Sequence, residues 1–229
     1  MKYTWLLFDV DGTLFNFELA ETKALEGAFR DLGLPYGPLT AQRYHEINSQ
    51  VWLDFEAGRV TAEALRTIRF ARLLEVMDLQ GDPAQISPCY LKHLAASSDL
   101  MPGAEETVRA LSGQYRMGIV TNGLSDVQRP RLANSPIGSH FEVVAISEEI
   151  GAPKPETRFF QHVMAQIGYP DPSSVLAIGD SLSSDIQGGN MAGMDTCWYN
   201  PFLRPADARY PARYEIHLLT DLLRVLNHA

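Results

Sequence analysis

The chain has 229 residues, with 19 Lys and Arg against 28 Asp and Glu, and a formal net charge of −9. At 45% hydrophobic and 21% charged residues it has a globular composition with apolar side chains enough for a sizeable core, which excludes a disordered chain, collagen and a coiled coil. The acidic balance excludes a nucleic-acid polymer or an anionic membrane as main partner, since either needs a basic surface. Cys89 and Cys197 show no CxxC or Cys/His ligand spacing, and the six histidines show no HxxxH or HxH spacing, so neither a disulfide framework nor a histidine metal site is expected. The first apolar run meets Asp9 and Asp11 too soon for a signal peptide, and no apolar run is long enough to span a membrane, so a cytoplasmic location is expected.

In chain order, a first strand is predicted at Thr4 to Val10. The stretch from about Glu18 to Ser98 then reads as four consecutive helices without a strand. Its apolar spacings are Leu25, Ala28, Phe29 and Leu32; Tyr44, Ile47, Val51 and Phe55; Leu65, Ile68 and Leu73; and Ile86, Tyr90, Leu91 and Leu94. Turn signals separate them at Gly33 to Pro38, Ala57 to Thr61 and Gly81 to Pro83. Beyond lie a helix at Ala104 to Ser112, a strand at Arg116 to Thr121, a helix at Ser125 to Ala133 and a strand at Val143 to Ser147. They are followed by a helix at Thr157 to Ile167, a strand at Val175 to Ile178, a helix at Asp185 to Ala192 and a strand at Thr196 to Tyr199. A last helix starts at about Asp221, capped by Thr220. This alternation predicts an α/β fold, a doubly wound parallel-sheet core of residues 1–16 and 99–229, with an all-helical lobe of residues 17–98 inserted after the first strand.

The most informative stretch is Phe8-Asp9-Val10-Asp11-Gly12-Thr13-Leu14 at the end of the first strand. In an open parallel sheet the functional crevice lies beyond the carboxyl ends of the strands. Two carboxylates at i, i+2 there, followed by a turn-forming glycine, suit a nucleophile and an acid/base partner. Three more segments end later strands. Thr121-Asn122-Gly123 offers a hydroxyl, an amide and backbone N–H groups to phosphate oxygens. Lys154 stands between Pro153 and Pro155, and Gly179-Asp180-Ser181 with Asp185 supplies carboxylates for a hard cation.

The order of these motifs resembles the haloacid dehalogenase-like (HAD) phosphohydrolase superfamily, which has a Rossmann-like core and a helical cap domain. The likeness is greatest to the house-cleaning pyrimidine 5′-nucleotidases. It rests on Ile146 to Gly151 before Lys154-Pro155, on Ser184 to Gly189 continuing to Thr196 to Asn200, and on Trp52 to Glu56 in the inserted lobe. The resemblance implies a phosphoric monoester hydrolase in which Asp9 takes the phosphoryl group as an aspartyl-phosphate and Asp11 is the acid/base catalyst. It implies Mg²⁺ held by Asp9, the Asp11 carbonyl and Asp180, with Asp185 bracing the metal shell, and a phosphoryl pocket of Thr121, Asn122, Gly123 and Lys154. The implied substrate is a small phosphomonoester, foremost a pyrimidine nucleoside 5′-monophosphate; Phe17, where the chain enters the helical lobe, and Trp52, at i, i+3 with Phe55 on one helix, are the expected base contacts. A sugar-phosphate phosphatase or phosphomutase is the alternative within the superfamily. A phospho-receiver signalling domain, the alternative outside it, is about half this length and has no helical insert.

Overall fold

The computed structural model describes residues 2–228. Six parallel strands form one sheet: β1 (Trp5–Phe8), β2 (Arg116–Thr121), β3 (Val143–Ile146), β4 (Val175–Gly179), β5 (Asp195–Tyr199) and β6 (Tyr214–Ile216), in the order β3-β2-β1-β4-β5-β6. In register, Leu7 of β1 lies beside Gly118 of β2 and Ala177 of β4. The chain winds outward from β1 through β2 to β3, then crosses back to β4 on the other side, so the topological switch point lies between β1 and β4.

Both faces of the sheet are covered, which is why its strands are apolar without alternation. On one face Leu6, Phe8, Met117, Ile119, Leu176, Ile178, Cys197 and Tyr199 pack with Val108 and Leu111 of α5 (Ala104–Leu111) and with Leu222 and Leu226 of α10 (Asp221–Asn227). On the other, Trp5, Leu7, Val120, Ala145, Val175 and Ala177 pack with Phe159, Phe160, Val163 and Met164 of α8 (Thr157–Gln166). Cys197 is thus a small core residue, as expected. Three further helices connect the strands: α6 (Ser125–Ala133), α7 (Ser147–Ile150) and α9 (Gln187–Met191).

The chain divides into two compact units. The α/β unit runs to Asn16 and takes in Leu100–Ser125 and the chain from Leu132 onward; the helical unit comprises Phe17–Asp99 and Asp126–Arg131. The helical unit holds α1 (Phe17–Asp31), α2 (Pro38–Glu56), α3 (Ala62–Val76) and α4 (Pro83–Ala95). Thr61 caps α3 by accepting from Ala64 N, and Asp82 caps α4 by accepting from Ala84 N. None of the described helices is long and apolar enough to cross a membrane.

Several local expectations need correction. β6 was not expected: it is three residues of mixed polarity, and only its pairing with β5 makes it a strand. The helix expected over Asp185 to Ala192 opens instead with a wide π turn at Leu182–Ile186, followed by α9. Thr220 precedes α10 in a helical conformation and makes no side-chain cap; Asp221 accepts from Leu218 N instead. On α2 the buried face is Tyr44, Asn48 and Val51 rather than one including Ile47, and Leu32 lies exposed beyond the end of α1. Asn48 is inside because it carries hydrogen bonds between buried charges.

Candidate active site

The crevice at the switch point is set by the ends of β1 and β4. Asp9 extends β1 by one residue, its N–H donating 2.9 Å to Ile178 O. Gly12 then turns the chain at φ +84°, and a Cβ there would sit 3.0 Å from the Asp180 carboxyl carbon. Only a glycine lets the first motif approach Asp180 so closely. Asp180 follows β4, and the π turn beyond it folds Asp185 back under the strand, where Asp185 Oδ2 accepts from Ser181 N at 3.1 Å.

Lys154 is the centre of the group. It is 1% exposed, and its Nζ donates to Asp9 Oδ1 and Asp185 Oδ1, both at 2.6 Å, and to Val120 O at 2.9 Å. All three ammonium donors are therefore engaged. Its backbone is pinned by Asn122, whose Oδ1 accepts from Lys154 N at 2.7 Å while Nδ2 donates to Lys154 O at 3.0 Å. The Asn122 side-chain amide thus positions the lysine. Thr121 Oγ1 accepts from Gly123 N at 3.0 Å, which closes the turn after β2. Glu148 of α7 accepts from Ser125 N, and Glu149 accepts from Ser125 Oγ, so this acidic pair caps the start of α6.

Asp9, Asp180 and Asp185 each offer a carboxylate oxygen, and these oxygens lie within 4.8 Å of one another. Burial, with Asp185 and Asp180 adding repulsion, drives the Asp9 carboxyl well above the ordinary carboxylate range against the pull of Lys154. Asp180 has a quarter of its side chain open to solvent, yet desolvation and then Asp185 raise it to about 7 against Arg204 and Lys154. Burial works against the Lys154 charge, but Asp185 and Asp9 hold that ammonium above its usual value. Asp9, Asp180 and Asp185 outnumber the two cations beside them, Lys154 and Arg204, so the ionised set carries an excess of negative charge that a bound cation would offset. Asp11 stands partly exposed two residues beyond Asp9.

Arg204 and Trp198 were missed from the sequence. Arg204 Nη2 donates to Asp180 O at 2.6 Å and lies 3.4 Å from Asp180 Oδ2, and Trp198 Nε1 donates to the same carbonyl at 2.9 Å. Asn200 holds the loop that delivers Arg204, accepting from Arg204 N and donating to Arg204 O, both at 2.9 Å. The Pro201 to Pro211 stretch reads as surface wrapping, and nothing local marks the arginine within it. Of the two expected base contacts, Phe17 opens α1 half-buried, and Trp52 meets Phe55 edge-on at 5.7 Å on α2. Both belong to the helical unit, whereas Asp9, Lys154, Asp180 and Asp185 are brought together within the α/β unit.

The Rossmann-ordered sheet, the Asp9 and Asp11 motif and the lysine-linked carboxylates define a hydrolase: the chain belongs to the haloacid dehalogenase-like hydrolase family, which it matches over residues 3–193. Among its relatives, the pyrimidine 5′-nucleotidase YjjG of Escherichia coli (strain K12) is 32% identical over 226 residues, 99% of this chain and 99% of that protein. The pyrimidine 5′-nucleotidase PynA of Streptococcus pneumoniae (strain ATCC BAA-255 / R6) is 34% identical over 228 residues, 99% of this chain and 96% of its own. YfnB of Bacillus subtilis, itself described only as a HAD-hydrolase, is 36% identical in its magnesium-bound crystal structure. The TM-score there is 0.94, and the match covers 99% of this chain and 100% of that one.

Proposed function

We propose that the protein is a Mg²⁺-dependent phosphomonoesterase that hydrolyses pyrimidine nucleoside 5′-monophosphates through an aspartyl-phosphate on Asp9. The observation that carries this reading is the buried Asp9–Lys154–Asp185 chain beside Asp180, an all-oxygen donor set whose carboxylates outnumber the neighbouring cations at the switch point. Such a set fits a hard cation of Mg²⁺ type: Asp9, Asp180 and the Asp11 carbonyl would hold it, with Asp185 behind them. When bound, the ion supplies the positive charge that lets a phosphoryl dianion lie against carboxylates.

The chain's own residues do the rest. Lys154 aims Asp9 and its charge favours the ionised carboxylate against burial, and Asn122 holds Lys154. An Asp9 oxygen attacks phosphorus as the ester P–O bond breaks, and Asp11 gives its proton to the leaving alkoxide. Asp11 then takes a proton from the water that attacks the aspartyl-phosphate, which releases inorganic phosphate and restores Asp9. The phosphoryl oxygens are assigned to Thr121 and the Asn122–Gly123 turn, with Lys154 acting on them through its charge while its donors hold Asp9, Asp185 and Val120 O.

The helical unit is assigned as the cap that selects the leaving group. YjjG and PynA, both named pyrimidine 5′-nucleotidases, support a pyrimidine nucleoside there. Phe17 is the preferred base contact, because the Trp52 ring already meets Phe55. The domain movement described for YfnB supports a gating role for this unit.

The test is kcat/KM on UMP, dTMP, AMP and a hexose phosphate, with Mg²⁺ and with EDTA, for wild type and Phe17→Ala. The expected result is activity lost in EDTA, preference for UMP and dTMP, and a penalty of about 1–3 kcal/mol for Phe17→Ala on those two alone. Full activity in EDTA removes the metal assignment. Equal rates across the panel, or a hexose phosphate preference, reject the nucleotidase reading.

A further inference from the structure

The helical unit carries a second group of metal-ligating side chains, chemically unlike the first. Cys89 and His93 stand one turn apart on α4, and Asp31 is the last residue of α1. The three offer a sulfur, an imidazole nitrogen and a carboxylate oxygen that lie within 4.8 Å of one another. His93 Nε2 is 2.7 Å from Asp31 Oδ2, and Cys89 Sγ is 3.9 Å from that oxygen. No Cys/His ligand spacing was expected from the sequence, but Cys89 and His93 stand at i, i+4 on one helix and the third donor comes from another helix, which a linear spacing does not reveal.

The placement of the imidazole depends on a small residue. A Cβ at position 27 would fall 2.8 Å from His93 Cγ and Nδ1, so Gly27 is what lets the ring lie against α1 with Nε2 toward Asp31. Arg30 Nε lies 3.5 Å from Asp31 Oδ1, which leaves Oδ2 to the cluster. Cys89 and His93 are half-buried and Asp31 is exposed, so solvent reaches the group. Thiolate and imidazole donors select a borderline-soft ion over Mg²⁺, and three protein ligands with solvent access leave a coordination position for water.

We propose that Asp31, Cys89 and His93 bind a divalent cation of the zinc class, linking the end of α1 to α4. The Cys89 S–H gives its proton to solvent as the S–metal bond forms, and His93 binds as neutral imidazole through Nε2. A ligand bound only by the folded state stabilises it, so the ion acts as a removable clamp on the helical unit.

The test uses the full chain stripped of metal, in excess Mg²⁺ so that the Asp9 and Asp180 carboxylates are not the sites read. Titration with Co²⁺ is expected to give a thiolate-to-cobalt charge-transfer band saturating at one equivalent, displaced by Zn²⁺, and Zn²⁺ is expected to raise the melting temperature. The band should vanish in Cys89→Ser and persist in Cys197→Ala. Affinity should fall by roughly 10-fold or more in His93→Gln and in Gly27→Ala, which removes no ligand. Melting of each variant without metal separates misfolding from lost binding. No band in the wild-type protein, or a band that survives Cys89→Ser, overturns the proposal.

Discussion

Each unit of the molecule buries charge, and the two do so in opposite ways. In the α/β unit, Lys154 bridges Asp9 and Asp185 with every ammonium donor engaged, yet the carboxylates outnumber the cations. In the helical unit, Glu21 and Arg69 are both buried and joined through Asn48, which donates 2.6 Å to Glu21 Oε1 and accepts 3.2 Å from Arg69 Nη1. The Arg69 guanidinium also lies 5.1 and 5.0 Å from the Phe70 and Tyr90 ring centres. One carboxylate against one guanidinium between aromatic walls is a balanced arrangement, although Arg69 Nε and Nη2 lack partners. An unbalanced buried set is costly unless something else completes it, whereas a balanced one completes itself. The comparison teaches that charge excess, rather than buried charge alone, separates the candidate active site from a polar core.

The sharpest break of that comparison is Asp9→Asn. It should lower kcat on the order of 10³-fold or more, because such groups act as a unit. The fold should hold, since Asp185 still balances Lys154 and one strained carboxylate is gone; thermal melting beside single-turnover kinetics checks both. Lys154→Met tests the other side, leaving two carboxylates buried without their cation. It should cost about 3–5 kcal/mol of stability as well as the activity, with part of the stability returning on addition of Mg²⁺. Denaturant unfolding with and without the ion would read this.

In the helical unit, Arg69→Met alone should destabilise by about 3 kcal/mol, while Arg69→Met with Glu21→Gln should recover most of it, as removing both members of a balanced pair is close to neutral. A double variant no more stable than the single would show that the cluster does not act as a pair. The smallest effect concerns pH. His45 Nδ1 lies 2.7 Å from Glu21 Oε2, and that hydrogen bond raises the imidazole above its usual value, against its partial burial. A His raised in the folded state stabilises fully below its unfolded pKa of about 6.5, and the gain disappears as pH rises through the folded value. Half of the His45 side chain is exposed, so the effect should stay below about 1 kcal/mol. His45→Gln should flatten the stability profile of that range, measured by urea midpoints.

The sequence by itself determined the strands β1 to β5, the helical insert and the line of motifs at strand ends, because apolar period and turn residues are local and the strands are buried on both faces. The Asp9, Asp11 and Asp180 positions were legible for the same reason: they follow strands, and a parallel sheet brings strand ends to one edge; Lys154, expected at a strand end, instead comes after α7 and reaches Asp9 from there. What only the tertiary structure decided depends on groups far apart in the chain. β6 exists through its pairing with β5, and Arg204 reaches Asp180 because Asn200 ties the loop that carries it. Asn122 turns its amide to Lys154, 32 residues on. Asn48 and Arg69 are inside because each answers another buried polar group, and Asp31 meets Cys89 and His93 because Gly27 leaves room for a ring. Burial of a polar side chain is set by the partner waiting for it, and that partner is chosen by packing across the fold, which no local pattern records.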